Sequence, residues 1–211
     1  MSEKQYKIKE IFYSIQGEGF HTGTPAVFIR FSGCNLWSGI EQDRKNAICK
    51  FCDTDFRNTD GENGGVYSKN TLLAKIMEIT KPGNCKFLIF TGGEPLLQVD
   101  EELVNFLKSE AYYIAIETNG TREAPGKIDW ITVSPKYGTG LVQLSGNELK
   151  LVFPQQGFNP ESFESYNFSH FFLQPKHDQN LNSNILEAVQ FCLIHPKWKL
   201  SLQTHKYIGI K

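Results

Sequence analysis

The 211 residues are 40% apolar and 21% charged; that supports a sizeable core, excludes wholesale disorder and predicts one domain over 1–211. Lys and Arg number 22 and Asp and Glu 23, a balance that argues against a nucleic-acid coat or a polybasic membrane surface. No apolar run approaches the roughly 18 residues needed to cross a bilayer, and the opening MSEKQYKIKE lacks an apolar signal core, so a cytoplasmic location is expected, with no nucleic acid and no membrane as partners.

In chain order, the first strand signal is PAVFIRF at 25–31, short and rich in β-branched and aromatic residues. The stretch NTDGENGG at 58–65 reads as a turn inside the domain. A helical period follows at 70–80, carried by Leu72, Leu73, Ile76, Met77 and Ile79. Then come a strand at 87–91 ending in Gly92-Gly93, a helix at 100–109 with acids in its first turn, and a strand at 112–117 ending in Thr118-Asn119-Gly120. Strands at 130–134, 149–153 and 171–174 are each closed by a proline; a helix at 184–195 and a last strand at 200–204 complete the series. Alternating strands and helices argue for a parallel sheet. Helices are missing between some later strands. The expected fold class is therefore α/β, a partial, open (β/α) barrel of about six strands with reduced helix content.

In such a sheet, polar residues at the C-terminal strand ends face the active-site side. Those ends here read Gly92-Gly93-Glu94, Glu117-Thr118-Asn119, Ser134-Pro135-Lys136, Gln174-Pro175-Lys176-His177 and His205. So many different polar groups at one end of a sheet form a site signal.

The chain has five cysteines. Cys85 and Cys192 read as ordinary apolar residues. Cys34, Cys49 and Cys52 are spaced C-x14-C-x2-C. A zinc site commonly wants four ligands, and only one CxxC is present. A redox pair would use Cys49 and Cys52 and leave Cys34 idle. Three soft thiolates can also hold three irons of a cubane cluster and leave the fourth open. Spacing alone leaves cluster, zinc and inert thiols open. Context adds the sequence Gly92-Gly93-Glu94-Pro95 after the next apolar strand, where glycines let the backbone approach a ligand and the glutamate can accept from an ammonium.

With both motifs in this order, the sequence resembles the radical S-adenosylmethionine (SAM) superfamily, which typically has CxxxCxxC after its first strand and a GGEP-like motif after its second. The departure is the 14-residue spacing, which makes 36–48 an insertion within the cluster-binding loop; the three ligands survive if its ends stay near each other. More closely, Ile15-Gln16-Gly17-Glu18-Gly19, Gly23-Thr24-Pro25, the run from Phe28 through Cys34 to Trp37, Cys52-Asp53-Thr54-Asp55-Phe56, Thr91 through Leu97, Glu117 through Gly120 and Ser134-Pro135-Lys136 are similar to the 7-carboxy-7-deazaguanine synthase family. Some members of that family share the long spacing.

That resemblance implies a lyase of queuosine and 7-deazapurine biosynthesis. It converts 6-carboxy-5,6,7,8-tetrahydropterin to 7-carboxy-7-deazaguanine by radical ring contraction with loss of ammonia. A 4Fe-4S cluster, SAM and Mg²⁺ are the implied cofactors. The reacting species is a 5′-deoxyadenosyl radical from SAM, so no catalytic side chain is expected.

The implied roles are as follows in the chain's own numbering. Cys34, Cys49 and Cys52 hold the cluster, and Thr54 holds magnesium, with Asp53 and Asp55 as nearby charge partners. Phe51, Cys52 and Asp53 contact SAM, Phe51 through its backbone; Gly93 and Glu94 take its methionyl amino group. Glu117, Asn119, Ser134, Pro135 and Lys136 complete the SAM contacts, with Gln174, Pro175, Lys176 and His177 at its adenosine. Ile15, Gln16, Gly17 and Glu18 face the pterin. Arg30 forks onto the substrate carboxylate, Thr91 and His205 touch substrate, and the carboxylate of Lys211 reaches the pterin amino groups. The implied partners are a flavodoxin-like electron donor and a second copy of the chain. A glycyl-radical activase, acting on a protein, and a structural zinc-binding module are the competing readings.

Overall fold

In Pro25–Phe31 (β2) successive side chains part to opposite faces, as the two-residue period of a strand requires. Val27, Ile29 and Phe31 are fully buried in one apolar cluster. Ala26 and Phe28 join a different one on the other face, where Arg30 also lies. The same division runs through the sheet and separates a helix-covered outer face from the inner wall of an open barrel.

The computed structural model describes residues 3–81 and 84–211. Its strands are Tyr6–Ile15 (β1), β2, Gly65–Tyr67 (β3), Phe87–Gly92 (β4), Tyr113–Thr118 (β5), Trp130–Val133 (β6), Ser145–Phe153 (β7), Asn167–Pro175 (β8) and Trp198–Leu200 (β9). They form one sheet in the order β3-β1-β2-β4-β5-β6-β7-β8-β9. From β2 to β9 every pairing is parallel. β1 lies antiparallel between β2 and β3. The sheet is not closed: β3 and β9 are its edges.

The open parallel sheet agrees with the sequence expectation. Its antiparallel margin was not marked by the sequence pattern. β1 carries Lys7, Lys9 and Glu10, and a register shift between Ile8 and Glu10 breaks its alternation. The apolar residues on either side, Tyr6, Ile8, Ile11 and Phe12, are nonetheless buried. β3 is three residues long and begins at Gly65, where the turn-like segment ends.

Helix Lys69–Thr80 (α1) starts at a reciprocal cap: the Ser68 side chain accepts from the Thr71 N–H and the Thr71 hydroxyl accepts from the Ser68 N–H. Helix Glu101–Ser109 (α2) starts at Asp100, which accepts from the Leu103 N–H at 2.9 Å. Both helices pack on the outer faces of β1, β2, β4 and β5 through residues such as Leu72, Ile76, Leu103 and Leu107. Each such side chain contributes about 1.5–3 kcal/mol by leaving water. Helix Leu181–Ile194 (α3) covers the other half of the sheet, where Ala188 meets Leu149, Leu173 and Trp198. No helix among the described residues is long and apolar enough to cross a membrane. At the N-terminal end of the barrel, Phe20 stacks on Trp130 and His170 with ring centroids 4.8 and 4.6 Å apart, which gives the inner wall an aromatic floor.

One expected element is corrected. The strand expected at 200–204 is absent: β9 ends at Leu200 and His205 sits on a short helix, Thr204–Ile208 (α4). The N–H and hydroxyl of Thr204 both donate to the Gly17 carbonyl, at 2.9 Å each. This long-range tie turns the chain across the barrel mouth instead of along the sheet. Gly209, with φ of +70°, ends the helix in a left-handed conformation.

Candidate active site

A cavity of about 590 Å³ opens over the C-terminal ends of the parallel strands. Every residue singled out from the sequence lines it except Glu94 and Pro135. The lining carries seven lysines and arginines against five carboxylates, so the site favours anionic ligands.

The cluster loop leaves β2 at Gly33, whose φ of +92° is open to glycine at little cost. Cys34 follows. The two ends of the long spacing are pinned together: the Leu36 carbonyl accepts from the N–H groups of both Ile48 and Cys49, at 3.1 and 3.3 Å. Cys34 and Cys49 therefore share one rim although 14 residues separate them. Gly93 sits directly against this loop. A Cβ there would fall 2.2 Å from the Gly33 carbonyl oxygen and 2.7 Å from the Cys34 Cβ. The bare backbone of the Gly-Gly pair is what lets the β4 end and the cysteine loop meet.

Burial pushes the Cys34 thiol up. The neighbouring Cys52 thiol first, with Lys136 nearby, brings Cys49 down to about 6, and Cys49 in turn pushes Cys52 up. Among the described residues no three Cys, His, Asp or Glu side chains converge as they would on a single ion. Three soft thiols around one rim, one available to each of three metals, fit the donor set of an iron–sulfur cluster better than that of zinc.

The inner wall carries a buried charge network. Lys150, on β7, has a side chain 6% exposed; its ammonium lies 2.5 Å from Glu18 Oε2 and 3.6 Å from Glu117 Oε1. Burial alone would push Glu18 up, but the Lys150 ammonium and a hydrogen bond from Gln203 outweigh it and hold the carboxyl at about 2. Burial opposes the charge on Lys150, and Glu117, Glu18 and Glu148 together raise its pKa well above the usual range. Gln16 donates to Glu117 at 2.9 Å. Gly17 leaves room for His205, because a Cβ at Gly17 would meet the imidazole Nδ1 at 2.2 Å. Burial lowers the His205 pKa and favours the neutral ring.

A second group of charges lies beside β1. Arg30 Nε donates to Glu10 at 2.9 Å, and Lys211 reaches Glu10 at 2.8 Å and Glu62 at 2.9 Å. A main-chain oxygen of Lys211 accepts from the Ser14 hydroxyl. Around Thr54, the two acids are already engaged: Asp53 with Lys206 at 2.6 Å and Asp55 with Lys9 at 2.8 Å. Lys136 donates to the Ser134 carbonyl and hydroxyl, and burial lowers its pKa.

Glu94 lies just behind the cavity lining and forms an internal brace. It is 0% exposed. Its carboxylate accepts from the Thr118 hydroxyl at 2.8 Å, the Asn119 N–H at 2.7 Å and the Leu96 N–H at 3.0 Å. It thus joins the ends of β4 and β5, while burial raises its pKa. Asn119 in turn donates to Asn35 Oδ1 at 2.9 Å, one residue beyond Cys34. Pro135 lies behind the wall, with its carbonyl toward Gln155. The sequence reading missed Lys150, Glu10, Gln203 and Lys206 as cavity residues. The available signal for Lys150 was a lone lysine between two fully buried leucines, Leu149 and Leu151.

Residues 45–146 match the model of the Radical SAM superfamily. The chain is 52% identical to the 7-carboxy-7-deazaguanine synthase of Nitratidesulfovibrio vulgaris, over 97% of this chain and 99% of that one. It is 52% identical to the same enzyme of Caulobacter vibrioides, with the same coverage, and 44% identical to that of Bacteroides thetaiotaomicron, over 97% and 98%. The crystal structure of QueE from Escherichia coli superposes with a TM-score of 0.72 and 27% identity, covering 94% of this chain and 93% of that one.

Proposed function

The chain belongs to the 7-carboxy-7-deazaguanine synthase family of radical SAM enzymes, and we propose that the cavity is its active site. It is an enzyme of 7-deazapurine biosynthesis that forms 7-carboxy-7-deazaguanine from 6-carboxy-5,6,7,8-tetrahydropterin, with a 4Fe-4S cluster and SAM as cofactors. Together these cofactors supply, when bound, the one-electron chemistry that opens a radical reaction.

The chain's own residues bind and orient. Cys34, Cys49 and Cys52 are the thiolates for three irons. The exposed backbone of Gly92 and Gly93 receives the methionyl end of SAM, with Phe51, Asp53, Asn119, Ser134, Lys136 and the Gln174–His177 segment along its length. Glu94, assigned to the methionyl amino group, also fixes Asn119 beside that end. Arg30 has Nε committed to Glu10, which sets the rest of its guanidinium to fork onto the substrate carboxylate. Ile15, Gln16, Gly17, Thr91 and His205 surround the pterin, whose amide and amine edge matches their mixed donors and acceptors, and Glu117 stays among the SAM contacts. Glu18 stays ionised through Lys150 and keeps an acceptor charge on that wall. Thr54 offers a hard oxygen to Mg²⁺, with substrate oxygens and water as its other ligands. Lys211 closes the substrate side. A flavodoxin-like reductant and a homodimeric assembly complete the proposal.

The observation that carries this reading is the meeting of three thiols, a Gly-Gly strand end and a half-buried Arg30 in one cavity. An interior arginine beside Gln16 suits a small acidic heterocycle better than the protein substrate of a glycyl-radical activase. The test is anaerobic incubation of reconstituted protein with SAM, a low-potential reductant, Mg²⁺ and the carboxypterin, read by mass spectrometry. The deazaguanine acid is expected; intact pterin beside cleaved SAM would show a different substrate, and intact SAM would remove the radical chemistry altogether.

A further inference from the structure

Residues 49–56, which carry two of the three thiols, form no helix or strand. Their position depends on what side chains grip their backbone. One side chain of the inserted segment does so. Arg44 Nη1 donates to the carbonyls of Lys50 at 3.2 Å and Cys52 at 3.1 Å. These acceptors flank Phe51, so one nitrogen spans the Cys49-Lys50-Phe51-Cys52 turn. The rest of the guanidinium is held from two further directions. Its Nε donates to both Glu41 carboxylate oxygens, at 2.8 and 2.9 Å. Its plane lies over the Trp37 ring, 3.9 Å from the centroid.

Trp37 is itself anchored. It is 9% exposed, its indole N–H donates to the Ile40 carbonyl at 3.1 Å, and its ring meets the buried Phe56 edge-on at 5.7 Å. The insertion is thus a small folded unit with Trp37 as its centre, Glu41–Asn46 as a 3-10 turn, and Arg44 as the residue that reaches back to the second and third cysteines.

We propose that Arg44 is the positioning residue that makes the long cysteine spacing workable: it clasps the Cys49–Cys52 turn to the insertion and so fixes the third thiol for the cluster. The inference rests on the proposed function only in taking those thiols as cluster ligands. A lysine would keep the charge but not the planar fork that serves Glu41, Trp37 and two carbonyls at once.

The test uses cluster-free protein first. Each thiol is alkylated by iodoacetamide and its rate read by peptide mass mapping. Arg44→Ala is expected to speed Cys52 about tenfold, which corresponds to about 1.4 kcal/mol, and to leave Cys34, held from the β2 side, near its native rate. Arg44→Lys should fall between Arg44→Ala and the native chain. After anaerobic reconstitution, Arg44→Ala should also lose iron to a chelator several-fold faster. A native Cys52 rate in folded Arg44→Ala protein would overturn the proposal. So would an equal rise at all three thiols, which marks general loosening, or a native rate in Arg44→Lys, which would make charge alone sufficient. A native chain that takes up no iron would instead sink the functional reading and leave the thiol result standing.

Discussion

At the scale of single residues, the inner wall shows why a charge can sit in a barrel interior. A lone buried ion costs several kcal/mol, and only a partner of opposite sign makes it tolerable. Lys150 has two, Glu18 and Glu117. The folded pKa of Glu18, about 2, lies below its usual 4.5. This group therefore contributes stability that is present above pH 4.5 and is lost as pH falls from 4.5 toward 2. Glu18→Gln should be less stable than the native chain by about 3 kcal/mol near neutrality, the scale of breaking a buried pair. The gap should close through that acid window. Urea melts across the range check this, and a gap that stays constant down to the acid limit would show that Glu18 is not held ionised.

The elements of the site meet through close backbone approach rather than through broad side-chain packing. The β4 end can touch the cysteine loop because Gly93 has no Cβ, and the atoms it would strike belong to Gly33 and Cys34. Backbone cannot swing aside as a flexible side chain can. Gly93→Ala is expected to cost about 1–3 kcal/mol and to push Cys34 off its rim. Iron per chain after reconstitution should fall well below that of Gly140→Ala, a control whose Cβ meets nothing within 4 Å. Equal iron in the two variants would separate the glycine pair from the cluster loop. Element identity was mostly legible at this scale. β2 matches its expected limits, and α1, α2 and α3 lie where the helical period placed them. The 200–204 segment was misread because LSLQT has strand-like composition, whereas the tie from Thr204 to Gly17 turns the chain into α4.

Across the whole molecule, one sheet carries two differently used faces. The outer face is closed by helices and supplies stability. The inner face is apolar near its floor, at Phe28, Ile89 and Trp130, and charged toward its mouth. Outside both, α3 leaves Leu186, Leu193 and Ile194 at 64%, 79% and 73% exposure. Residues seven and eight apart fall on one side of a helix, so these three make an uncovered apolar stripe that suits the proposed homodimer. Light scattering should give twice the chain mass for the native protein and one chain mass for Leu193→Glu. A native monomer would remove the dimer proposal.

The sequence by itself determined most of the strands and helices, though not β1, β3 or α4, together with the three thiols, the glycine pair and most of the strand-end residues around the cavity. These are short-range properties: side-chain period, turn chemistry and ligand spacing each act over a few residues. Only the tertiary structure decided that Lys150 faces inward to Glu18, that Glu94 braces β5, and that Arg44 closes the cysteine turn. Glu18 and Lys150 are 132 positions apart, and Gly17 and Thr204 are 187 apart. Pairs at such separations are fixed by sheet register and by the route of the connecting chain, because shifting a strand by one residue would turn every side chain to the opposite face.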